Sequence, residues 1–205
     1  MVIIIDYGMG NVGSIFNMLK KIGADCMISS KPDDIVQATK IILPGVGLFG
    51  TGMERLRELN LIPILEQRAL ADKIPVLGIC LGMQLLTEKS EEGNADGLGW
   101  IKGETIRFRF SNNSNNLKIP HMGWNEVSPK QDSVFFNTSQ EKQRFYFLHS
   151  YHVVCQDQDD ALTETNHGYP FISAIKHNNL LGVQFHPEKS HKFGMEFFKK
   201  FMECI

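Results

Sequence analysis

The chain has 205 residues, 42% of them hydrophobic, enough for one well-packed domain. Its 21 basic and 23 acidic side chains leave a formal net charge of -2 and are spread along the chain, with no basic tract for nucleic acid and no acidic tail for a basic partner. The opening "MVIIIDYGMG" lacks the features of a signal peptide, and no run approaches the roughly 18 apolar residues of a membrane span. Four cysteines (Cys26, Cys80, Cys155, Cys204) then read as free thiols in a reducing compartment, so a cytoplasmic location is expected.

The first half alternates apolar runs with amphipathic stretches. "VIIID" (2–6) predicts a strand from its β-branched content. In "NVGSIFNMLKKIG" (11–23), Val12, Ile15, Phe16, Leu19 and Ile22 fall at helical spacing, with Gly23 as the stop. "DCMIS" (25–29) is a second strand and "KPDDIVQA" (31–38) a short helix entered through Pro32. "KIILPGVG" (40–47) is a third strand ending in a Pro-Gly turn. Residues 50–72 carry one or two helices, with Pro63 in a first turn. "IPVLGIC" (74–80) is a fourth strand and "LGMQLLTEK" (81–89) the helix after it. Such alternation predicts a doubly wound, mostly parallel sheet covered on both faces.

The second half changes character. "GWIKGETIRFRF", "RFYFLHSYHVVC", "FISAIKH" and "LLGVQFHPE" are closely spaced strands joined by turns such as "HNN" and "NHGYP". They predict an antiparallel or mixed extension of the sheet. "SNNSNN" (111–116) is a polar surface loop, and "HKFGMEFFKKFMECI" (191–205) a closing helix. No repeat or linker divides the chain, so one α/β domain over 1–205 is expected.

Two glycine-rich turns compete for a function. In "GMGNVG", Gly8, Gly10 and Gly13 match the dinucleotide fingerprint, with Asp33 20 residues beyond Gly13. The acid should close the second strand, however, and that strand ends at Ser29 or Ser30 with Pro32 opening the next element. A tight turn or a partner-facing loop is the competing reading. "GICLG" (78–82) has the form of the nucleophile elbow, with cysteine in the serine's place. There a strained turn lifts the side chain above the sheet, small neighbours let strand and helix backbones approach, and the helix start favours a thiolate. The Leu81 N–H would be aimed where an oxyanion forms. A buried small cysteine in tight packing is the plain alternative.

A cysteine nucleophile needs a base and a group to orient it. His186 in "GVQFHPEKS" ends a strand, and Glu188, two positions on, projects to the same side. His121 and His149 lie in motif-like settings without a nearby carboxylate, while His152, His167, His177 and His191 read as strand-edge, turn or helix-start residues. No close ligand spacing points to zinc, and no metal or cofactor is expected. "LPGVG" (43–47) closes a parallel strand with Gly45 and Gly47 and is a candidate second source of oxyanion N–H groups.

"LPGVG", "GICLGMQLL", "PHMGWN", "FLHSYH" and "GVQFHPEKS" together resemble the class I (triad) glutamine amidotransferases, and within them the glutaminase subunits of imidazole glycerol phosphate synthase from histidine biosynthesis. The resemblance runs from residue 2 to the final helix. It implies a flavodoxin-like fold, hydrolysis of glutamine to glutamate and ammonia, and a (β/α)8-barrel cyclase subunit that forms a heterodimer and consumes the ammonia. By position it makes Cys80 the nucleophile, His186 the base and acid, and Glu188 the orienter, with oxyanion donors at Leu81, Val46 and Gly47. Gly47, Gln84, Ser150 and Tyr151 would hold the ends of glutamine. Asn11, Trp124 and Lys189 would lie near the partner and its ammonia entrance; a buried core aromatic and a solvated lysine are the plain alternatives for the last two. The segment before "PHMGWN" is longer and more polar than a compact histidine-pathway subunit needs. Similar subunits also serve synthases that amidate surface-polysaccharide sugars, and these motifs read glutamine, not the acceptor.

Overall fold

Val2, Ile3, Ile4 and Ile5 are all β-branched and all buried, and they form β1 (Val2–Ile5) near the middle of a parallel sheet. The protein is described by a computed structural model over residues 1–110, 117–136 and 143–203; the expected loop at 111–116 and Cys204 lie outside the described residues. α1 (Val12–Lys21) begins where the Asn11 side chain accepts the Ser14 N–H at 3.1 Å, and Lys20 and Lys21 close its last turn. β2 (Cys26–Ser29), α2 (Pro32–Val36), β3 (Lys40–Leu43), α3 (Phe49–Glu58), α4 (Ile62–Glu66), β4 (Val76–Ile79) and α5 (Leu81–Leu85) follow. Pro63 sits in the first turn of α4, as expected.

The helix expected over 81–89 is shorter than its sequence suggests. α5 ends at Leu85, and the chain enters a short strand, β5 (Lys89–Ser90). The cause lies downstream. The carbonyls of Leu85 and Leu86 accept N–H groups from Leu98 and Trp100 at 2.8 and 3.0 Å, and the Thr87 hydroxyl donates to the Gln84 carbonyl at 2.8 Å. The helix end is capped by tertiary partners that no local pattern reveals.

The remaining elements are β6 (Ala95–Asp96), β7 (Gly103–Arg107), β8 (His121–Pro129), β9 (Gln143–His149), β10 (Tyr151–Cys155), β11 (Ala161–His167), β12 (Tyr169–His177), β13 (Leu180–Val183) and α6 (His191–Glu203). β8 and β11 went unread as strands because "HMGWNEVSP" and "ALTETNH" are too polar for an apolar-run criterion. Among the described residues one sheet runs β2-β1-β3-β4-β13-β12-β10-β7-β5-β6, with β11, β8 and β9 branching from β12. β2, β1, β3, β4 and β13 are mutually parallel, and β12, β10 and β7 extend them antiparallel.

The two faces of the parallel part separate with the strand's period of two. Ile3, Ile5, Ile41 and Leu43 pack under α3, α4 and α5, while Val2, Ile4, Ile42 and Ile79 pack with Ile15 and Leu19 of α1 and Phe197, Phe198 and Phe201 of α6. With both faces covered, the carboxyl ends of β3, β4 and β13 carry the turns that hold "LPGVG", Cys80 and His186.

Candidate active site

The elbow is built from backbone. Cys80 follows β4 with φ 53° and ψ -108°, a left-handed conformation that costs a side-chain-bearing residue on the order of 1–3 kcal/mol. The glycines on either side are required by contact. A Cβ at Gly78 would lie 2.6 Å from the Gly82 carbonyl oxygen, and one at Gly82 would lie 1.8 Å from the Leu43 carbonyl oxygen. Strand and helix therefore cross backbone to backbone, as the sequence predicts. α5 has only five residues, so the helix-end field expected at Cys80 is carried by little more than one turn.

His186 and Glu188 follow β13, and both are buried. His186 Nδ1 is 2.8 Å from Glu188 Oε1, which makes Nδ1 the protonated nitrogen and leaves Nε2 the acceptor. Nε2 is buried, and the polar side chain that acts on it is Cys80. Burial is the largest influence on this imidazole and pulls its pKa down, but Cys80 and Glu188 outweigh it and hold the group above its ordinary value. Ser190 locks the arm, donating to the His186 carbonyl at 2.6 Å and accepting the Tyr146 N–H at 3.0 Å.

Cys80 opens into a cavity of about 240 Å³ lined by Val46, Gly47, Leu81, Gln84, Glu92, Pro120, Leu148, His149, Ser150 and Tyr151. Every residue expected at the oxyanion and glutamine positions is on that wall. One detail differs from expectation. The Leu81 N–H is directed at the Gly45 carbonyl, 3.4 Å away, so in this conformation that donor faces a protein acceptor. Tyr7 donates to the Pro44 carbonyl at 2.6 Å and anchors the same turn from below; burial pushes its hydroxyl pKa up strongly.

The bonding of the wall residues adds what the sequence does not give. Gln84 donates to the Tyr151 carbonyl and to Gln184 Oε1, each at 3.0 Å, which leaves its own oxygen to accept from a ligand. Glu92 places a carboxylate on the wall while accepting the Phe49 N–H at 2.8 Å; in sequence it reads as one acid of a polar turn. His149 donates from Nδ1 to the Tyr151 carbonyl at 2.8 Å, so its Nε2 must accept from His121 Nδ1 at 3.0 Å, and His121 Nε2 then accepts from Asn125 at 3.1 Å. Burial above all, with neighbouring histidines, holds both imidazoles neutral, His121 at about 4 and His149 well below its ordinary value. Their missing carboxylate is explained: they orient each other. His152 is not the strand-edge residue expected, being buried with Nε2 3.1 Å from the Tyr169 hydroxyl. Cys26 and Cys155 are buried free thiols pushed up by burial, Cys155 to about 12.

Trp124 is 40% exposed and stacks on His191, so the buried-aromatic reading is excluded. Lys189 is exposed with Nζ 5.7 Å from the Tyr146 ring, against the strand bonded to His186. Asn11 caps α1 at the surface. The "GMGNVG" turn has a packing explanation: a Cβ at Gly10 would lie 3.0 Å from the Gly45 nitrogen. Asp33 stands in the first turn of α2 instead of closing β2.

Comparison with known proteins agrees with this geometry. Residues 3–204 match the family model described as glutamine amidotransferase class-I. The imidazole glycerol phosphate synthase subunit HisH 2 of Methanococcus maripaludis is 52% identical over 99% of both chains. The subunit of the same name from Pseudomonas aeruginosa is 47% identical over the full length of both. Among solved structures, a glutamine amidotransferase superposes with TM-score 0.74 at 16% identity, covering 99% of this chain and 98% of that one, a likeness of fold. Fold, motif spacing and full-length similarity coincide: the chain belongs to the class-I glutamine amidotransferases.

Proposed function

We propose that the chain hydrolyses glutamine to glutamate and ammonia through a Cys80 thioester, as the glutaminase subunit of an imidazole glycerol phosphate synthase in histidine biosynthesis. The observation that carries the reading is a strained, cavity-facing Cys80 coupled to a buried imidazole whose other nitrogen is held by Glu188 at 2.8 Å. In the proposed cycle Cys80 passes its proton to His186 Nε2, and the sulfur bonds to the side-chain carbonyl carbon of glutamine. His186 returns the proton to the departing nitrogen, the C–N bond breaks, and ammonia leaves a thioester. Water then attacks, giving its proton to His186, and glutamate departs as the thiol re-forms. Gly47, Ser150, Tyr151, the Gln84 oxygen and the Glu92 carboxylate are the wall groups for the two ends of the substrate.

The oxyanion is assigned to the N–H groups of Leu81, Val46 and Gly47. Because the Gly45 carbonyl faces the Leu81 N–H, and carbonyl and N–H point oppositely across a trans peptide, the Gly45–Val46 unit must turn over to complete the hole. Exposed Val46, Leu48, Met122 and Trp124 supply apolar surface for a partner whose docking drives that turn. The partner is the (β/α)8-barrel cyclase subunit, in a cytoplasmic heterodimer, with Asn11, Trp124 and Lys189 at the interface and ammonia entrance. Relatives carrying the synthase subunit name support this assignment, and no helix among the described residues is long and apolar enough to cross a membrane.

Glutamate release by the chain alone, and with the cyclase subunit bearing its own ligand, tests the reading. Weak turnover alone and strong stimulation are expected. Stimulation by a sugar-amidating synthase in place of the cyclase would reassign the acceptor, and no turnover in any combination would defeat the glutaminase.

A further inference from the structure

The Cys80 sulfur has a neighbour outside the triad. Gln184 lies just past β13, fully buried, with Nε2 3.6 Å from Cys80 Sγ. The two ends of an amide have nearly the same shape, so the end facing the sulfur must be settled by the other partners. Those partners form a chain that begins at an unambiguous group. The Tyr151 backbone carbonyl can only accept, so the end of Gln84 3.0 Å from it is the NH₂. That NH₂ also lies 3.0 Å from Gln184, whose near end is therefore the oxygen. The far end, an NH₂, then faces Cys80. His149 donates to the same carbonyl, and the Gln184 backbone N–H is held by the Ser173 carbonyl at 2.9 Å, so the arrangement is anchored at both ends.

We infer that Gln184 is a further catalytic residue, its fixed amide N–H donating to the Cys80 sulfur when the proton has passed to His186. The inference rests on the reading that Cys80 is the nucleophile. Besides His186, the sulfur has the Leu148 carbonyl 3.8 Å away, a group that can only accept, which suits the thiol and opposes the anion. Proton transfer thus removes one contact and strengthens the other, since a hydrogen bond to an ionised group is roughly twice as strong as a neutral one. An amide also suits the place because it cannot take up the proton meant for His186. Held from the β13 side, the sulfur keeps its remaining lone pairs for the cavity.

Alkylation of Cys80 by iodoacetamide, followed site by site by mass spectrometry across neutral and alkaline buffers, reads the sulfur without glutamine or partner. Gln184→Met keeps the volume and removes the donor; alkylation should be about tenfold slower at neutral pH, the worth of one hydrogen bond to an ion, and should recover in alkaline buffer. Gln184→Glu keeps the shape and places an anion beside the sulfur, so its neutral-pH rate should be lower still. A purely structural Gln184 predicts lower melting temperatures with rate–pH curves that coincide with the parent's, and coincidence in Gln184→Glu alone overturns the inference even if Gln184→Met does not fold. If Cys80 of the parent reacts no faster than Cys26 or Cys155, the nucleophile reading itself fails and the inference with it; selective parental labelling with unchanged variants sinks only the role of Gln184.

Discussion

Cys80 is placed by backbone and His186 by side chains. At the elbow, Gly78 lets β4 touch α5 where a Cβ would lie 2.6 Å from the Gly82 carbonyl oxygen, Gly82 lets α5 touch β3 where a Cβ would lie 1.8 Å from the Leu43 carbonyl oxygen, and Cys80 takes φ 53°. The His186 arm has ordinary backbone, and it is held by a stack of Phe185 on Phe145 at 3.9 Å, the Ser190 hydroxyl and the bond from His186 N–H to the Tyr146 carbonyl at 2.8 Å. With the proposed nucleophile rigid and the proposed base on a hydrogen-bonded arm, the site can be tuned from the base side. Trp124 and Lys189, which lie against that arm, are where a bound partner would reach it.

Breaking the elbow should therefore cost the fold most, and breaking the arm chiefly the chemistry. Gly82→Ala should lower stability by about 3 kcal/mol, the upper end of the usual cost of overpacking, because its Cβ meets backbone that cannot give way; a denaturant midpoint near the parent's would refute the backbone account. His186→Ala should melt near the parent temperature while glutamate release with partner falls by about 10²–10⁴-fold, the usual worth of a positioned acid–base. Glu188→Ala keeps the imidazole but loosens it, so a smaller loss is expected, and rates equal to the parent's would remove Glu188 from the triad. Ser190→Ala strips the arm of its tie and leaves the Tyr146 N–H without its acceptor, for a loss of about 1–2 kcal/mol in unfolding experiments.

The smallest effect belongs to the pair made by His149, on the cavity wall, and His121 behind it. His121 and His149 have folded-state pKa values below their unfolded ones, so the unfolded chain takes up protons first. Their stabilisation is fully present above about pH 6.5 and drains away as pH falls toward about 4. The melting temperature should decline through that window, and His121→Gln should decline less steeply than the parent.

Legibility in the sequence followed the same division. The elbow was readable because its geometry is enforced by residue type: only glycines fit at 78 and 82, and they stand in the string itself. "HPE" was readable because alternation in extended chain puts His186 and Glu188 on one side. Gln184, Glu92 and the His121–His149 pair were not, because each acts through partners dozens of residues away: Gln184 through Gln84, Glu92 through Phe49, His121 through His149. For the fold, apolar runs revealed the parallel strands, buried on both faces, and missed β8 and β11, whose pairing is dictated by neighbouring strands. The early end of α5 escaped for the same reason, being set by N–H groups that arrive from residues 98 and 100.

The central claim is that Cys80 attacks the side-chain carbonyl of glutamine. Incubation of the chain with a diazo-ketone analogue of glutamine, followed by peptide mass spectrometry, tests it most directly. The account predicts a single adduct on Cys80, suppressed by glutamine and absent in Cys80→Ser, which should keep the parent's melting temperature. An adduct on Cys26 or Cys155 instead, or a Cys80 that stays unmodified while the analogue is consumed, would contradict it.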